Sequence, residues 1–509
     1  MTLLTHQYAL SLFGLLSASL LWTSGAFQPS FPRLPTRSSF PIDNHFGMKT
    51  RRLMTASVAD WSPPSKDQSI GIIGGGPSGI AAAWFLMKKG YSDVTVLEGA
   101  DEVGGKCLTV NYTDSKGITN NYELGAEYIT YAYETLFEFM DEVGEKWVPA
   151  GGIEVILGGG KFIEALKYSP ILKVLPAAIK YLFILIKYRN IISNPSNAGI
   201  AAIPFLSQSS DEFIEKEGLQ ALKPIFLVRQ FGYGPFPQFP TINLLRTVPL
   251  PTLLRSLGEQ IPVVKNFFKR PIAALAVDGT QGLFKKMAVS LNEKKAAAGQ
   301  SVDAVLVGQK VTTMTRKNDK ILVDTASGKQ HTFDKVICAI PPDYVEKLFK
   351  FPEEESKLMK MIGYDPYFVA CIDPDYNLER AYYQNLETLE DDPVQFSKRW
   401  TDSPIVAYGY NWKTAEKVLN KKNLEKLYCE LSNYCKNNMN INSFSFLPNP
   451  ALWETYHPNV PIEAYQDGYY DKLEAIQGKY GLYLTGDGMA AESMEYSCKY
   501  SKQLIDRFF

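Results

Sequence analysis

The sequence predicts an α/β fold with more than one domain, and three observations support this prediction. The chain has 509 residues, 45% of them hydrophobic and 21% charged. This is an ordinary globular composition, and it excludes a disordered chain, a collagen or a small disulfide-rich domain. Residues 69–98 read as a strand, a glycine-rich turn, a helix, a second strand and an acid. Helical patterns then take over in residues 128–275, as expected for a second domain at this length.

The N-terminal segment differs in composition from the rest of the chain. Of 53 basic and 54 acidic residues, six and two lie at or before Lys66, which leaves 47 and 52 and a net charge of −5 for the remainder. Residues 8–22 are uncharged and apolar, and three small residues at 24–26 follow. We therefore predict a signal peptide over residues 1–26 and a transit-like segment over 27–66. The net charge of the whole chain, −1, disfavours a nucleic-acid partner.

The junction between these two segments resembles a known targeting signal. Ala26-Phe27, followed by a stretch rich in Ser, Thr, Pro and Arg, is similar to the bipartite presequence of algae with complex plastids. In such presequences the phenylalanine directs plastid import, so the resemblance implies a plastid location. Secretion with a disordered linker is the alternative. Retention of residues 8–22 as an anchor is a third option, although a membrane span needs about 20 residues.

Few residues outside the N-terminal segment are suited to metal or nucleophilic chemistry. The six cysteines are scattered without zinc-site spacing, and the chain after residue 66 holds two histidines, His331 and His457. We therefore predict no metal site. A Ser-His-Asp enzyme is equally disfavoured because no nucleophile elbow is evident.

The glycine-rich turn has the order and spacing of a dinucleotide-binding unit. A buried strand over residues 69–73 leads into Gly74-Gly75-Gly76-Pro77-Ser78-Gly79, a helix over 80–89 and a strand over 94–97 that ends at Glu98. Gly74 permits the tight turn, Gly76 lets the backbone approach a pyrophosphate, and Gly79 lets helix and strand pack closely. The helix N-terminus offers free N–H groups to phosphates. Glu98 can accept both ribose hydroxyls.

Further motifs resemble the flavin amine oxidase superfamily of FAD-dependent oxidoreductases. Glu98 is followed after five residues by Gly104-Gly105-Lys106, and later segments hold Gly125-Ala126 and Gly486-Asp487. The resemblance implies that FAD is the cofactor and that its phosphate, ribityl chain and ring lie along these segments. The cofactor-binding candidates are Gly74, Gly76, Pro77, Ser78, Gly79, Glu98, Gly104, Gly105, Lys106, Gly125, Ala126, Val311, Gly486 and Asp487.

The same resemblance implies how the domains are arranged. It predicts a Rossmann-like FAD-binding domain assembled from discontinuous segments, with an inserted substrate domain of mixed helices and sheet. The FAD-binding segments are 67–127, 276–345 and 471–509, and the substrate segments are 128–275, which is helical, and 346–470. Successive strands are expected over 302–307, 311–315, 320–325 and 332–342. A helix over 162–190 is expected to break at Pro170 and Pro176.

A closer resemblance is to the polyunsaturated fatty acid double-bond isomerases. It rests on residues 231–236 and 278–284, on Gly104 to Cys107 and on the C-terminal segment. It implies a redox-neutral reaction. A hydride moves from a doubly allylic carbon of the substrate to flavin N5 and then returns to another carbon of the pentadienyl system. The resemblance identifies no catalytic side chain. The rival hypothesis is net oxidation of a carotenoid, a tetrapyrrole or an amine. A non-catalytic flavin-binding protein is the third.

One departure from that family concerns the substrate carboxylate. The bacterial isomerases bind it with an Arg in a strand whose counterpart here, residues 150–156, has none. A carboxylate in an apolar tunnel needs a cationic partner, so either Arg229, Arg246 or Lys161 serves or the substrate is not a free acid. The substrate-pocket candidates are Tyr128, Arg229, Phe231, Tyr233 and Phe236.

The expected partner is a hydrophobic polyene or acyl substrate. The spacing of Lys173, Lys180 and Lys187 predicts a basic helix side that is solvated or contacts a membrane surface.

Overall fold

The structure, a computed structural model, describes residues 63–168, 171–230, 238–253, 273–374, 378–386, 393–401, 404–410 and 421–509. The strands are β1 Ile70–Ile73, β2 Val94–Leu97, β3 Thr109–Thr113, β4 Thr119–Glu123, β5 Ile129–Thr130, β6 Trp147–Pro149, β7 Gly152–Gly158, β8 Lys161–Glu164, β9 Ala273–Ala276, β10 Val305–Leu306, β11 Val311–Lys317, β12 Lys320–Thr325, β13 Gln330–Phe333, β14 Lys335–Cys338, β15 Gly363–Pro374, β16 Ala381–Gln384, β17 Pro393–Ser397, β18 Ile405–Tyr410, β19 Phe444–Phe446, β20 Ala451–Asn459 and β21 Leu482–Leu484.

The α-helices alternate with these strands. They are α1 Pro77–Lys88, α2 Glu134–Val143, α3 Ala165–Tyr168, α4 Ile171–Ile192, α5 Pro204–Ser207, α6 Ser210–Lys216, α7 Lys223–Gln230, α8 Thr241–Thr247, α9 Gly279–Ala297, α10 Pro342–Leu348, α11 Glu353–Met359, α12 Lys421–Met439, α13 Ile462–Gln466, α14 Tyr469–Glu474 and α15 Met494–Phe508. Short 3-10 helices span Gln220–Leu222 and Lys479–Gly481.

A five-stranded parallel sheet forms the nucleotide-binding half, in the order β10-β2-β1-β14-β21. All residues of β1 and β2 are buried, as expected for a parallel sheet that is covered on both faces. Helix α1 packs against β1 and β2 and against helix α15, and Ser501 of α15 donates to the carbonyl of Ser78 in α1 at 3.0 Å. The sheet draws strands from three distant parts of the sequence, which confirms the predicted Rossmann-like α/β class.

The strand that was predicted over residues 332–342 is two strands in different sheets. β13 ends the three-stranded antiparallel sheet β11-β12-β13, and β14 belongs to the parallel sheet. The chain changes direction at Asp334, whose carboxylate accepts from the N–H of Ser69 at 2.9 Å and from its hydroxyl at 2.8 Å. Asp334 thus fixes the chain at the start of β1 and divides the apolar run.

An eight-stranded mixed sheet forms the other half, in the order β19-β15-β18-β17-β16-β7-β8 with β20 paired to β15. Helix α12 covers one face through a core that includes Leu427, Leu431 and Cys435. The other face presents aromatic side chains, among them Tyr367 and Tyr408. Because side chains alternate along a strand, each long strand of this sheet contributes side chains to the core under α12 on one face and to the aromatic cluster on the other.

Helix α4 continues through Pro176, so the break predicted there is wrong; Pro170 lies outside the described residues. Proline removes one N–H···O bond near the start of the helix, while burial of Val174, Ala178, Tyr181 and Leu185 holds the remaining turns. The opposite side exposes Phe183 by 66%. No helix in the part of the chain that the structure describes is both long and apolar enough to cross a bilayer.

Candidate functional site

A cavity of about 520 Å³ opens at the carboxyl ends of the parallel strands. Gly74, Glu98, Ala339 and Gly486 follow β1, β2, β14 and β21 and line it. The opposite wall comes from the eight-stranded sheet and from helix α8. Ligands of open parallel α/β sheets bind at this edge, so the topology alone marks the cavity as the candidate site.

The glycine turn at the start of α1 contains two kinds of glycine. A Cβ at Gly79 would lie 1.9 Å from the carbonyl oxygen of Gly74, and Gly74 itself has φ +102°. These two glycines are therefore required by the packing of the turn. A Cβ at Gly76 would meet only the Cα of Gly105, at 3.7 Å. The space beside Gly76 is part of the cavity, where the backbone can approach a bound pyrophosphate.

Glu98 faces this turn from the end of β2. Its carboxylate accepts from the N–H groups of Gly75 at 2.6 Å and Ala100 at 2.7 Å. These bonds orient the side chain at the cavity wall, and a carboxylate has about four lone-pair positions. Two acceptor positions thus remain for ribose hydroxyls.

The doublet Gly104-Gly105 forms the next part of the wall. Both have positive φ, +134° and +53°, and a Cβ at Gly104 would lie 2.6 Å from the carbonyl oxygen of Cys107. The following Lys106 pairs with Asp487 at 2.5 Å and also donates to the carbonyl of Tyr456. Lys106 therefore joins the segment after β21 to the eight-stranded sheet across the cavity.

Most predicted cofactor residues meet at this cavity. Eleven of them line it: Gly74, Gly76, Pro77, Ser78, Glu98, Gly105, Lys106, Gly125, Ala126, Gly486 and Asp487. Gly79 and Gly104 support the wall from behind, because their missing side chains permit the close backbone contacts. Val311 begins β11 and is not among the lining residues, so its role stays a prediction. These features suit a dinucleotide. The helix N-terminus and the adjacent glycines suit its pyrophosphate, and the acid after the second strand suits the ribose of its adenosine.

A buried carboxyl cluster lies behind the Gly125-Ala126 loop. Arg399 is 3.5 Å from Glu123 and 3.6 Å from Glu127, and all three side chains are buried. Burial raises the pKa of both carboxyl groups, and the charge of Arg399 opposes that increase. Glu127 lines the cavity and accepts from the hydroxyls of Ser397 and Tyr408.

A second buried pair joins His457 and Glu492, with Nδ1 and Oε1 2.7 Å apart. Burial, and then the nearby charge of Lys106, lowers the pKa of His457 to about 3. Burial also raises the pKa of Glu492 well above its ordinary value. Both shifts favour the uncharged form of each group, and the imidazole is neutral throughout the physiological range.

Helix α8 forms another part of the cavity wall. Asn243, Arg246 and Thr247 line the cavity from one side of this helix, as the i, i+3, i+4 spacing requires. The Arg246 guanidinium donates to Asn197 Oδ1 at 2.5 Å and to the carbonyls of Asn194 at 2.6 Å and Ser196 at 2.7 Å. Its Nε has no hydrogen-bond partner among the described residues.

The substrate-pocket predictions have mixed outcomes. Tyr128 lines the cavity and packs edge-on against Tyr382 with ring centroids 5.2 Å apart. Arg229 lies in α7, and Phe231, Tyr233 and Phe236 lie outside the described residues. Lys161 is exposed on β8, away from the cavity lining.

Other lining residues were missed because no local motif marks them. They include Thr130, Tyr133, Asn243, Thr252, Tyr367, Tyr408, Trp453, Tyr456, Glu492 and Tyr496. The alternation of Tyr408 and Tyr410 in β18 is the signal that could have identified one of them. Alternation shows that a face is buried without showing what it packs against.

Comparisons with known families agree with the two halves of the fold. The NAD(P)-binding Rossmann-like domain model matches residues 72–143, and the flavin containing amine oxidoreductase model matches residues 223–375. A polyenoic fatty acid isomerase of Ptilota filicina is 36% identical over 78 residues, which are 15% of this chain and 15% of that protein. The chain thus matches about one seventh of the length of this relative.

Solved structures resemble the chain over most of its length. A CLA-producing fatty acid isomerase from P. acnes has a TM-score of 0.73 at 24% identity and covers 88% of this chain and 100% of its own. A cyclohexylamine oxidase from Brevibacterium oxydans has a TM-score of 0.59 at 15% identity, with 86% and 98% covered. At these identities the likeness establishes the fold.

Proposed function

We propose that this chain, which belongs to the flavin-containing amine oxidoreductase superfamily and binds FAD, is a redox-neutral double-bond isomerase of a polyunsaturated fatty acid or related lipid. FAD supplies, when bound, a hydride acceptor at N5 that can return the hydride to another carbon of the same pentadienyl system. The substrate therefore undergoes no net oxidation or reduction. The resemblance of residues 231–236 and 278–284 to fatty acid isomerases and the match to the Ptilota protein support this choice.

The chain's own groups provide the binding site for FAD. Gly76, Gly105 and Glu98 line the cavity; the backbone of the two glycines would face the pyrophosphate, and Glu98 would face the ribose. Helix α15 begins at the cavity, where the side chain of Ser493 accepts from the N–H of Tyr496. The remaining free N–H groups of its first turn, with the helix dipole, favour negative charge on a ring placed there.

The observation that favours a lipid over an amine is the state of the cavity's carboxyl groups. All five of them among the described lining residues already have partners within the protein. The pairs are Glu98 with two backbone N–H groups, Glu127 with Ser397 and Tyr408, Asp487 with Lys106, Glu492 with His457, and Glu495 with Lys499 and the N–H groups of Thr135 and Leu136. A buried ammonium ion needs a carboxylate partner. Apart from Glu98, whose remaining acceptor positions would face the ribose, every carboxyl group of this wall already has a side-chain partner.

The remaining wall is rich in aromatic side chains and suits an acyl chain. Trp453 donates to the carbonyl of Leu124 at 2.7 Å, and the rings of Tyr367 and Tyr456 stack with centroids 4.9 Å apart. Burial raises the pKa of Tyr367 and Tyr408 well above the ordinary value. These phenols stay protonated and His457 stays neutral, so the side chains position the substrate and a hydride transfer needs no base from them.

A turnover assay in buffer of known oxygen or quinone concentration tests the proposal. Purified holoprotein with linoleate should develop conjugated-diene absorbance without loss of oxygen or quinone, and mass spectrometry should find product of unchanged mass. Protein with Gly76→Val, which fills the space for the pyrophosphate, is the matched control and should give no diene. Stoichiometric consumption of oxygen or quinone, or turnover of an amine or carotenoid in place of linoleate, would contradict the proposal and support a net oxidase.

Two expectations about location remain proposals. The predicted plastid presequence would occupy residues 1–66, most of which fall outside the described residues. Peripheral membrane contact is supported by α4, whose exposed side carries Ile179 and Phe183. Lys180 on the same helix already pairs with Glu217 at 2.9 Å, which reduces the basic character of that side.

A further inference from the structure

The hydrogen-bonded pair of His457 and Glu492 joins the two halves of the fold within the cavity wall. His457 belongs to β20 of the eight-stranded sheet, and Glu492 lies between β21 of the parallel sheet and helix α15. Their Nδ1 and Oε1 atoms are 2.7 Å apart, and the two side chains are 4% and 16% exposed. Both residues line the cavity. Glu492 directly precedes Ser493, the N-cap of α15, so the pair adjoins the helix start that favours negative charge on a bound flavin ring.

The hydrogen bond between these two atoms contains one proton, and the position of that proton fixes the charge of Glu492. If Nδ1–H of His457 is the donor, Glu492 is an anion, whether or not the ring also carries a second proton. If the carboxyl group is the donor, Glu492 is uncharged and the neutral imidazole carries its proton on Nε2. The charges around the pair decide between these arrangements.

The cation that could hold Glu492 as an anion already has another partner. Lys106 Nζ is 2.5 Å from Asp487 Oδ2 and also donates to the carbonyl of Tyr456. A buried carboxylate without a cation of its own is costly. Burial therefore raises the pKa of Glu492 well above its ordinary value and lowers the pKa of His457 to about 3. Both groups are thus uncharged, and the carboxyl group of Glu492 is the donor.

The other titratable groups around the pair favour the same arrangement. They come from the segment after the glycine doublet, from β15, β20 and α14, and from the segment after β21. In chain order they are Lys106, Asp365, Tyr367, Tyr456, Tyr470 and Asp487. The negative charges of Asp365 and Asp487 raise the pKa of Glu492 further, and only the charge of Lys106 lowers it.

A small cavity on the other side of the pair has room for water. Its volume is about 30 Å³, and its lining includes His457, Glu492, Asp365 and Asn459 as well as the exposed Gln238. A polar cavity of this size is large enough for a water molecule. A proton on Glu492 can therefore exchange with water from this side, without entry of water into the main cavity.

We propose that Glu492 is a protonated acid that donates to His457, and that this uncharged pair raises the hydride affinity of the FAD bound beside it. Gain of a hydride adds one negative charge to the cofactor. An anionic Glu492 in the same wall would oppose that gain by repulsion, and the protonated acid does not. This inference rests on FAD binding, which the proposed function shares with its rival, net oxidation, and it holds whichever substrate gives up the hydride.

Infrared spectroscopy of the holoprotein tests the protonation state of Glu492 without turnover. The C=O stretch of a protonated carboxyl group is separate from the stretches of a carboxylate, and Glu492→Gln should remove one such band at pH 7. Electrochemical reduction of the flavin should shift this band in the wild type, because the reduced cofactor carries the added charge. Glu145 is 5% exposed, pairs with Lys286 at 2.6 Å and lies outside the cavity lining, so Glu145→Gln is the matched control and should leave the band in place.

The two-electron reduction potential of the flavin tests the effect of the pair on the cofactor. Glu492→Gln keeps the shape, the donor and the zero charge of the acid. While the protonated band of the wild type persists, the two potentials should therefore agree within about 10 mV, or about twofold in electron affinity. At any pH where that band is lost, the wild-type potential should lie below that of the variant by about 30 mV or more, an approximately tenfold loss of affinity.

Three results would overturn the proposal. They are the lack of any protonated band that Glu492→Gln removes, a band that does not respond to reduction of the flavin, and a wild-type potential already about 30 mV below that of the variant at pH 7. A second variant, His457→Gln, covers a failure of Glu492→Gln to fold. Its side-chain oxygen can still accept from a protonated Glu492, so the band should persist in this variant, whereas an anionic Glu492 would give none.

The outcomes separate this inference from the proposed function. If the band and the potentials behave as expected and linoleate gives no conjugated diene, the isomerase function is wrong and the assignment of Glu492 stands. If linoleate is isomerised and Glu492→Gln removes no protonated band, the function stands and the assignment of Glu492 is wrong.

Discussion

The two ends of the cavity differ in what lines them: backbone at one end and side chains at the other. At the nucleotide end, residues 74–79, Glu98 and residues 104–106 lie within 33 residues of one another in the sequence and act through backbone shape. At the substrate end, side chains from residues as distant as Tyr128, Arg246 and Tyr456 meet. Backbone shape is encoded by local glycine spacing, whereas a side-chain constellation depends on the whole topology. A motif therefore reveals the cofactor long before it reveals the substrate.

The ends also differ in how completely their polar groups are satisfied. Glu98 and Asp487 at the nucleotide end each have short hydrogen bonds within the protein. At the substrate end, Arg246 Nε, Asn243 Oδ1 and Thr252 Oγ1 have no partner among the described residues. Unsatisfied buried groups reduce stability, so these three atoms cost stability at the substrate end. Stability measurements on both ends can test that difference.

The largest effect is expected from two glycines that share one turn. Gly79→Ala places a Cβ 1.9 Å from a backbone oxygen, and we expect it to destabilise the protein by about 3 kcal/mol or more. Gly76→Val faces open cavity, so the flavin-free protein should unfold at nearly the wild-type denaturant concentration and bind FAD at least about tenfold more weakly. Urea unfolding measures the stability of each variant, and flavin content measures how much FAD each one binds. Equal stability losses would show that both glycines serve packing alone.

Arg399 should produce the next largest effect. Arg399→Met leaves Glu123 and Glu127 buried together without their cation, which costs about 3–5 kcal/mol. Without Arg399 the pKa of both carboxyl groups rises further, so the folded state binds more protons than the unfolded state. The loss in free energy of unfolding relative to the wild type should therefore shrink as the pH falls from 8 toward the carboxyl pKa of the unfolded state, which is about 4.5.

Urea unfolding of this variant at pH 8 and pH 5.5 measures that dependence. Arg316→Met, which breaks an exposed pair with Asp319 at 2.8 Å, is the control and should cost less than about 0.5 kcal/mol at either pH. A deficit for Arg399→Met that is the same at both pH values would assign the loss to packing.

The sequence predicted the nucleotide end well for a physical reason. Each residue of the strand, turn, helix, strand unit interacts with neighbours a few positions away, and the acid Glu98 stands where the second strand ends. The Rossmann-like class and the meeting of distant glycines such as Gly76 and Gly105 followed from that unit and from the family resemblance. The error at residues 332–342 had a local cause, because Asp334 inside an apolar run gave no sign that the chain changes sheets there.

The substrate end was only partly predictable. Arg246 was one of three candidate cations, and nothing in the sequence separates it from Lys161, which is exposed. The distinction depends on burial and on the loop at 194–197, which contacts Arg246 across about 50 residues of sequence. Glu492 and His457 likewise meet through the pairing of β20 with β15 and the chain after β21. Pairings at such range are set by the complete fold.

Two buried threonines provide the smallest and most specific comparison. Thr280 is 1% exposed, and its hydroxyl donates to Ala126 O at 2.6 Å and interacts with Glu123 at 3.0 Å, so Thr280→Val should destabilise the protein by about 1–2 kcal/mol. Thr252→Val removes an equally buried hydroxyl that has no partner among the described residues, and should be neutral or stabilise by up to about 1 kcal/mol. Because shape and volume change equally, urea unfolding of the two variants isolates the hydrogen bonds. A similar loss in both would mean that Thr252 is satisfied within the folded protein, and that the substrate end is built for stability in the same way as the nucleotide end.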